Sequence, residues 1–328
     1  MFRKILFVSM AALMLLFVSC SPDMFTKVEN VTVLSAIPDP NFTQTGVLTL
    51  SLIPLDKEGG AIISDSVSVK ANYIPSTGTA VKLTVSDPDV NKPEENALPW
   101  AFAIDIDASG SMSTSDRGRI RVEASKLFVD SILTSAPSSK IAVATFGDGY
   151  TDPFLETKLL QDFTSDKTLL SAAIDTVPAS GGTPLWDSAY EFAAYLTSSM
   201  QASQYAREML LLSDGGDNGS YLYTDEDLKQ YAIAQNIPVH TVALGYNSQE
   251  LQDIALKTGG IYIYSTDAAS LKDSFTNLST ANINGYLMYS ITFPKDSIPK
   301  SNSTVLLQLA VKNALGGEKI VQYEFKVE

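Results

Sequence analysis

Five oxygen-bearing side chains fall in three short loops of this chain. Asp107, Ser109 and Ser111 alternate in Asp107-Ala108-Ser109-Gly110-Ser111-Met112. Thr183 stands in Ser180-Gly181-Gly182-Thr183-Pro184-Leu185, and Asp214 in Ser213-Asp214-Gly215-Gly216-Asp217. Carboxylate and hydroxyl oxygens are hard ligands. They suit Mg²⁺, Mn²⁺ or Ca²⁺. The chain has one His and one Cys, so no His/Cys cluster exists and zinc is not expected. Glycines beside these residues let the backbone approach closely. Each piece also has an ordinary explanation. Thr183 before Pro184 can cap a helix, Asp214-Gly215-Gly216 can form an Asx turn, and the serines can be turn residues. Three loops completing one ordered set of ligands favour the metal reading over three coincidences.

The elements around these loops give them a place. From Trp100 to about Asn282, apolar strands alternate with helical patterns. Ala101–Ile106, Ile141–Phe146, Met209–Leu212, Val239–Leu244 and Ile261–Tyr264 read as strands. Arg117–Leu133, Asp166–Val177, Pro184–Met200, Asp225–Asn236, Gln249–Lys257 and Ala268–Thr280 read as helices. Continuous apolar strands alternating with helices predict an α/β unit with a mostly parallel sheet covered on both faces. In such sheets ligands bind outside the carboxyl ends of the strands. The first and third loops fall there, and the second opens a helix.

The set Asp107-x-Ser109-x-Ser111, Thr183 and Asp214 resembles the metal-ion-dependent adhesion site (MIDAS) of von Willebrand factor A (VWA) domains. Phe146-Gly147-Asp148-Gly149 and Gly181-Gly182-Thr183-Pro184-Leu185 resemble the bacterial branch. The resemblance covers about residues 99–280 and implies a Rossmann-like α/β fold. It implies that Ser109, Ser111 and Thr183 contact a divalent cation through hydroxyls. Asp107 and Asp214 would bind it directly or through water, and one position would be left for a partner protein's Asp or Glu carboxylate. The implied function is protein binding or adhesion without turnover. A second resemblance competes: Asp105-Ile106-Asp107 matches the Asp-x-Asp motif of haloacid dehalogenase-type, magnesium-dependent phosphatases. No lysine loop follows, and the Gly-Gly-Thr-Pro-Leu loop has no role in that chemistry. A third reading is a non-adhesive scaffold whose metal is structural.

Both flanks read as β. Val67, Val69, Ala71 and Tyr73 alternate, as do Val81, Leu83 and Val85. After Gly285, segments around Leu287–Phe293, Val305–Val311 and Val321–Val327 alternate again. About sixty residues are marginal for an independent core. The expectation is one seven-strand, immunoglobulin-like sandwich with the α/β unit inserted between its halves. The boundaries are 21–98, 99–282 and 283–328.

Residues 1–20 read as a signal peptide: Arg3 and Lys4, then an apolar stretch from Ile5 to Val18. It ends in Phe17-Val18-Ser19-Cys20, which resembles a bacterial lipobox, with Phe17 where Leu is usual. Cys20 is the only cysteine, so it is the expected lipidation site and no intramolecular disulfide exists. The expected location is the bacterial cell envelope, lipid-anchored, at the outer membrane or cell surface. A formal net charge of −14 argues against nucleic acid as a partner. His240, inside an apolar strand, reads as structural, and Asp148 and Asp217 as solvated loop carboxylates near the site. Asp105 is a carboxylate inside an apolar run and has no assigned role.

Overall fold

The computed structural model describes residues 27–57, 60–76, 78–92, 98–147, 149–214, 216–245, 247–265 and 268–327. The leader, Cys20 and Asp148 lie outside the described residues. The first segment forms β1 (Asn30–Pro38) and β2 (Val47–Leu55), joined through α1 (Phe42–Thr45), then β3 (Ser68–Ile74). Three short strands follow: β4 (Val81–Lys82), β5 (Thr84–Val85) and β6 (Asp89–Asn91). β1 and β2 pair antiparallel from Asn30↔Leu55 to Pro38↔Leu48, with a register shift between Val33 and Ser35.

The α/β segment begins with β7 (Trp100–Asp107), α2 (Met112–Ser115), α3 (Ile120–Ser135), β8 (Lys140–Phe146), β9 (Thr157–Thr164) and α4 (Lys167–Asp175). It continues with α5 (Leu185–Ser199), β10 (Ala206–Ser213), α6 (Asp225–Gln235), β11 (Val239–Leu244), α7 (Gln249–Thr258), β12 (Tyr262–Ser265) and α8 (Ala268–Asn284). The sheet runs β12-β11-β10-β7-β8-β9. All neighbours are parallel except β8 and β9, which are antiparallel, so the sheet is mixed. The sequence pattern predicts no strand at β9. Its residues, Thr-Lys-Leu-Leu-Gln-Asp-Phe-Thr, are mostly half-exposed at the sheet edge, so the apolar run that marks a central strand is missing there.

β7 is buried from Ala101 to Asp107. Its Phe102, Ile104 and Ile106 pack with Phe128, Leu170 and Phe275 from α3, α4 and α8. Its Ala101 and Ala103 pack on the opposite face with Phe192, Leu228 and Leu251 from α5, α6 and α7. Both faces are therefore covered, and alternate residues of one strand serve two cores. From β7 the chain moves to β8 on one side and later to β10 on the other. The strand order reverses between β7 and β10, and a crevice opens at their carboxyl ends.

After α8 come β13 (Tyr286–Thr292), β14 (Thr304–Lys312) and β15 (Lys319–Lys326). These do not form a sheet of their own. β13 lies between β2 and β5, with β6 also on its edge, and β14 lies between β15 and β3. Strands from before and after the α/β segment thus share two sheets. The two sheets meet through side chains: Phe42 packs edge-on against Phe293 and Phe325, and the Tyr289 hydroxyl donates to the Val67 carbonyl at 3.1 Å. Among the described residues no helix is long and apolar enough to cross a membrane.

Candidate metal site

The chain leaves β7 at Asp107, which is fully buried. One carboxylate oxygen accepts the Ser109 backbone N–H at 2.7 Å. The other accepts the Ser213 hydroxyl at 2.8 Å and, more weakly, the Asp214 N–H at 3.4 Å. Burial pushes the Asp107 carboxyl above its ordinary range. The hydrogen bonds from Ser109 and Ser213 oppose that, and the nearby Asp214 charge adds to it. The Ser109 and Ser111 hydroxyls are 2.9 Å apart, and the Ser111 hydroxyl donates to Asp214 at 2.7 Å. Ser115, one helical turn beyond Ser111 on α2, also donates to Asp214. Asp107, Ser109, Ser111 and Asp214 therefore form a closed hydrogen-bonded ring at the crevice between β7 and β10.

The loop that carries Thr183 is bonded to the Asp107 loop through Ser180 and Gly181, while Thr183 itself bonds Asn218 in the third loop. Ser180 N–H donates to the Ala108 carbonyl at 2.7 Å, and Gly110 N–H to the Gly181 carbonyl at 3.1 Å. Gly181 has φ +83°, and a Cβ built there would lie 1.6 Å from the Gly147 carbonyl oxygen. No residue with a side chain fits that contact. Asn218 accepts the Thr183 N–H at 2.9 Å and returns its own N–H to the Thr183 carbonyl at 3.1 Å.

The third loop also caps α5. Asp217 accepts the Leu185 N–H at 2.9 Å, and the Ser220 hydroxyl accepts the Trp186 and Asp187 N–H groups at 2.9 and 3.0 Å. Asp187, fully buried, accepts the N–H groups of Tyr221, Leu222 and Tyr223 at 2.8, 3.0 and 2.6 Å. From its sequence context Asp217 reads as a solvated loop carboxylate. Instead it supplies a helix start with an acceptor, because the first N–H groups of a helix have no partner within it.

Beneath the ring lies Arg121, 1% exposed. It donates to the Asp107 carbonyl at 3.1 Å, to Asp116 at 2.8 Å and to the Pro178 carbonyl. It thus ties the end of β7 to the segment leading into the Thr183 loop. Asp105 lies inside the sheet, fully buried. One oxygen accepts the Ser188 hydroxyl at 2.9 Å and the other has no hydrogen-bond partner. Burial raises its pKa to about 7, with the charges of Asp107 and Glu191 adding. An enclosed carboxyl of this kind does not face solvent, as the nucleophile of the phosphatase reading would need to. His240, near the amino end of β11, bonds Glu208 at 2.8 Å through Nε2 and accepts the Ile261 N–H at Nδ1.

The sequence reading did not include Ser115, Ser213 or Arg121. Ser115 repeats the Ser111 side of a helical turn, and Ser213 precedes Asp214, but neither spacing is distinctive by itself. Among the described residues no group of three or more His, Cys, Asp or Glu could hold a metal. Any cation at the ring must be held in large part by hydroxyls. The donor chemistry fits a hard divalent ion: only oxygens are present, and the Asp214 charge repels the buried Asp107 carboxyl beside it.

Comparison with known proteins agrees with this architecture. Residues 102–216 match the family model described as von Willebrand factor type A domain. That span contains all five site residues named from the sequence. Calcium-activated chloride channel regulator 1 of Equus caballus is 31% identical over 182 residues, covering 54% of this chain and 18% of that protein. The chain thus spans less than a fifth of the length of the curated relatives it matches. A von Willebrand factor type A structure from Catenulispora acidiphila aligns over 92% of this chain and 73% of its own, with 14% identity and a TM-score of 0.50. That likeness concerns the fold. Proximal thread matrix protein 1 from the mussel byssus, solved with a zinc-occupied MIDAS motif, aligns over 60% of this chain and 48% of its own. Its identity is 18% and its TM-score 0.47. The match of residues 102–216 to that family model identifies a von Willebrand factor type A domain within this chain.

Proposed function

We propose that this chain is a metal-dependent protein-binding module without catalytic turnover. Asp107, Ser109, Ser111, Thr183 and Asp214 hold one divalent cation, Mg²⁺ foremost, with Mn²⁺ and Ca²⁺ as the alternatives. The observation that carries the reading is the hydrogen-bonded cluster at the reversal of strand order, in which the Ser111 hydroxyl bridges the Ser109 hydroxyl and the Asp214 carboxylate while the backbone N–H groups of Ser109 and Asp214 reach the Asp107 carboxylate. A hydroxyl can donate its proton and still offer lone pairs. Ser111 can therefore keep its bond to Asp214 while its oxygen faces a cation, and so can Ser115. When bound, the ion supplies an electrophilic centre that attracts a carboxylate from the partner protein. The chain's own part is to hold neutral and anionic oxygens in place and to leave that centre incompletely neutralised.

The same reading extends to the rest of the chain. The two shared sheets form an immunoglobulin-like sandwich, contributed by 21–98 and 283–328, that presents the 99–282 domain. Cys20, once lipidated, holds the protein at the bacterial envelope. The experiment is calorimetric titration of Mg²⁺, Mn²⁺ and Ca²⁺ into the full chain and its Thr183→Ala variant, followed by binding of envelope proteins with magnesium and with chelator. The reading expects one ion per chain and a partner that is released by chelator. No ion binding, or partner capture indifferent to chelator, overturns it.

A further inference from the structure

The candidate metal site has a basic neighbour. Three of the chain's five arginines fall in Arg117-Gly118-Arg119-Ile120-Arg121, which runs from the end of α2 into the first turn of α3. All three line a cavity of about 420 Å³, together with the segment that leads into the Thr183 loop. Met112 and Ser113 border the same cavity and are bonded to the loop of the candidate ligands. The Met112 N–H donates to the Ser109 carbonyl at 3.2 Å, and the Ser113 hydroxyl to the Gly110 carbonyl at 2.7 Å. The helix α2 is a single turn, ~6 Å of rise, so the cavity begins about that far from Ser111.

The three arginines differ in what neutralises them. Arg121 is buried and paired with Asp116 at 2.8 Å. Arg119 is exposed, and its Nη2 donates to the carbonyls of Asp175 and Val177 at 2.7 and 3.0 Å. Both acceptors are neutral, so the guanidinium keeps its charge. The Asp175 carboxylate is already engaged by Lys126 at 2.8 Å. Arg117 is exposed and makes no side-chain hydrogen bond or ion pair among the described residues. A guanidinium fork matches a carboxylate in two parallel hydrogen bonds. The net charge of −14 opposes an acidic partner at long range, but exposed charges beyond ~8 Å are largely screened at physiological ionic strength. Contact is therefore decided by the local pair of arginines. A lone phosphate would satisfy the arginines and leave the neighbouring cation unused, whereas a protein segment with two acidic side chains uses both.

We infer that the partner segment is doubly acidic, with one carboxylate on the cation and a second, three residues away, on Arg117 and Arg119. Three residues of extended chain span ~10 Å, which matches one helical turn plus the reach of the side chains. The inference rests on the metal-dependent binding proposed above. Peptide binding to the Mg²⁺-loaded full chain tests it, followed by NMR line broadening of the peptide. The probes are acetyl-Gly-Asp-Gly-Gly-Glu-Gly-amide and the same peptide with Gln in place of Glu. Both bind with Kd on the order of millimolar. The Glu peptide binds about threefold to tenfold tighter, the gain of one or two exposed ion pairs, and the gain shrinks as NaCl is raised from ~0.05 to ~0.5 M. In Arg117→Ala the two peptides bind equally, and in Arg117→Glu the Gln peptide binds tighter. Arg117 is exposed, so both variants fold. Equal affinities in the parent chain overturn the inference and leave the metal reading standing, as does an advantage of the Glu peptide that survives both variants. Absence of binding by both peptides at ~20 mM, well above that range, overturns the inference and the metal reading together, and so does binding of the Gln peptide that is indifferent to chelator.

Discussion

At the residue scale, the five candidate ligands differ in what else they hold. Asp107 accepts hydrogen bonds from Ser109 and Ser213 while buried, so Asp107→Ala removes a proposed ligand and also leaves buried donors unpaired. We expect no measurable Mg²⁺ binding in that variant, together with a loss of stability of roughly 1–3 kcal/mol. Thr183 holds its loop through backbone groups. Thr183→Ala therefore weakens Mg²⁺ binding about tenfold, a magnitude typical of metal-site substitutions, with the melting temperature nearly unchanged. Calorimetry and thermal unfolding check both. Asp105 makes a separate prediction for the metal-free protein. In the unfolded chain it ionises near 3.8, whereas burial holds its folded pKa at about 7. An acid whose folded pKa is raised subtracts stability progressively as pH climbs through that window. Asp105→Asn keeps an acceptor for Ser188 and removes the charge. In chelator it should melt ~2 °C or more above the parent at pH 8, with the difference vanishing near pH 4.

At the element scale, the site depends on loops that brace one another. The helix α5 cannot start cleanly without Asp217 and Ser220, and the loop carrying them cannot hold its course without Asp187 on α5. Arg121 closes the other side, with its partner Asp116 likewise buried. Removing one member of a buried ion pair strands the other charge. Arg121→Ala should therefore cost ~3–5 kcal/mol in urea unfolding, well beyond the loss of a surface pair. Mg²⁺ affinity should fall as well, because the Arg121 guanidinium also holds the Asp107 carbonyl.

At the scale of the whole molecule, the chain ends depend on each other. Deleting everything after Asn282 removes β13 from between β2 and β5, and removes both β14 and β15 from the edge of β3. Open strand edges over exposed apolar faces invite intermolecular pairing. The truncated chain should aggregate, while residues 99–282 alone should stay soluble and unfold cooperatively. A soluble, cooperatively unfolding 26–98 fragment would refute the shared-sheet reading. Anchoring is tested at the same scale. Mass spectrometry of the mature protein should find a diacylated or triacylated Cys20, and Cys20→Ala should release the protein from membranes, since stable retention needs more than one acyl chain.

The three loops of the candidate site and the α/β alternation were legible in the residues because both signals are local. A motif occupies a few consecutive positions, and the apolar period of a buried strand repeats within one element. The same locality hid β9, whose edge position demands no apolar run. It also made Asp217 look like any solvated loop carboxylate. Its partner, the Leu185 N–H, lies 32 residues earlier, and nothing in the intervening sequence announces that contact. Tertiary structure alone decided that β13 pairs with β2, that Arg121 sits beneath Asp107, and that Ser115 joins Ser111 at Asp214. These are choices of partner between distant segments. They follow from which buried donors and acceptors must be satisfied once two cores close over one sheet.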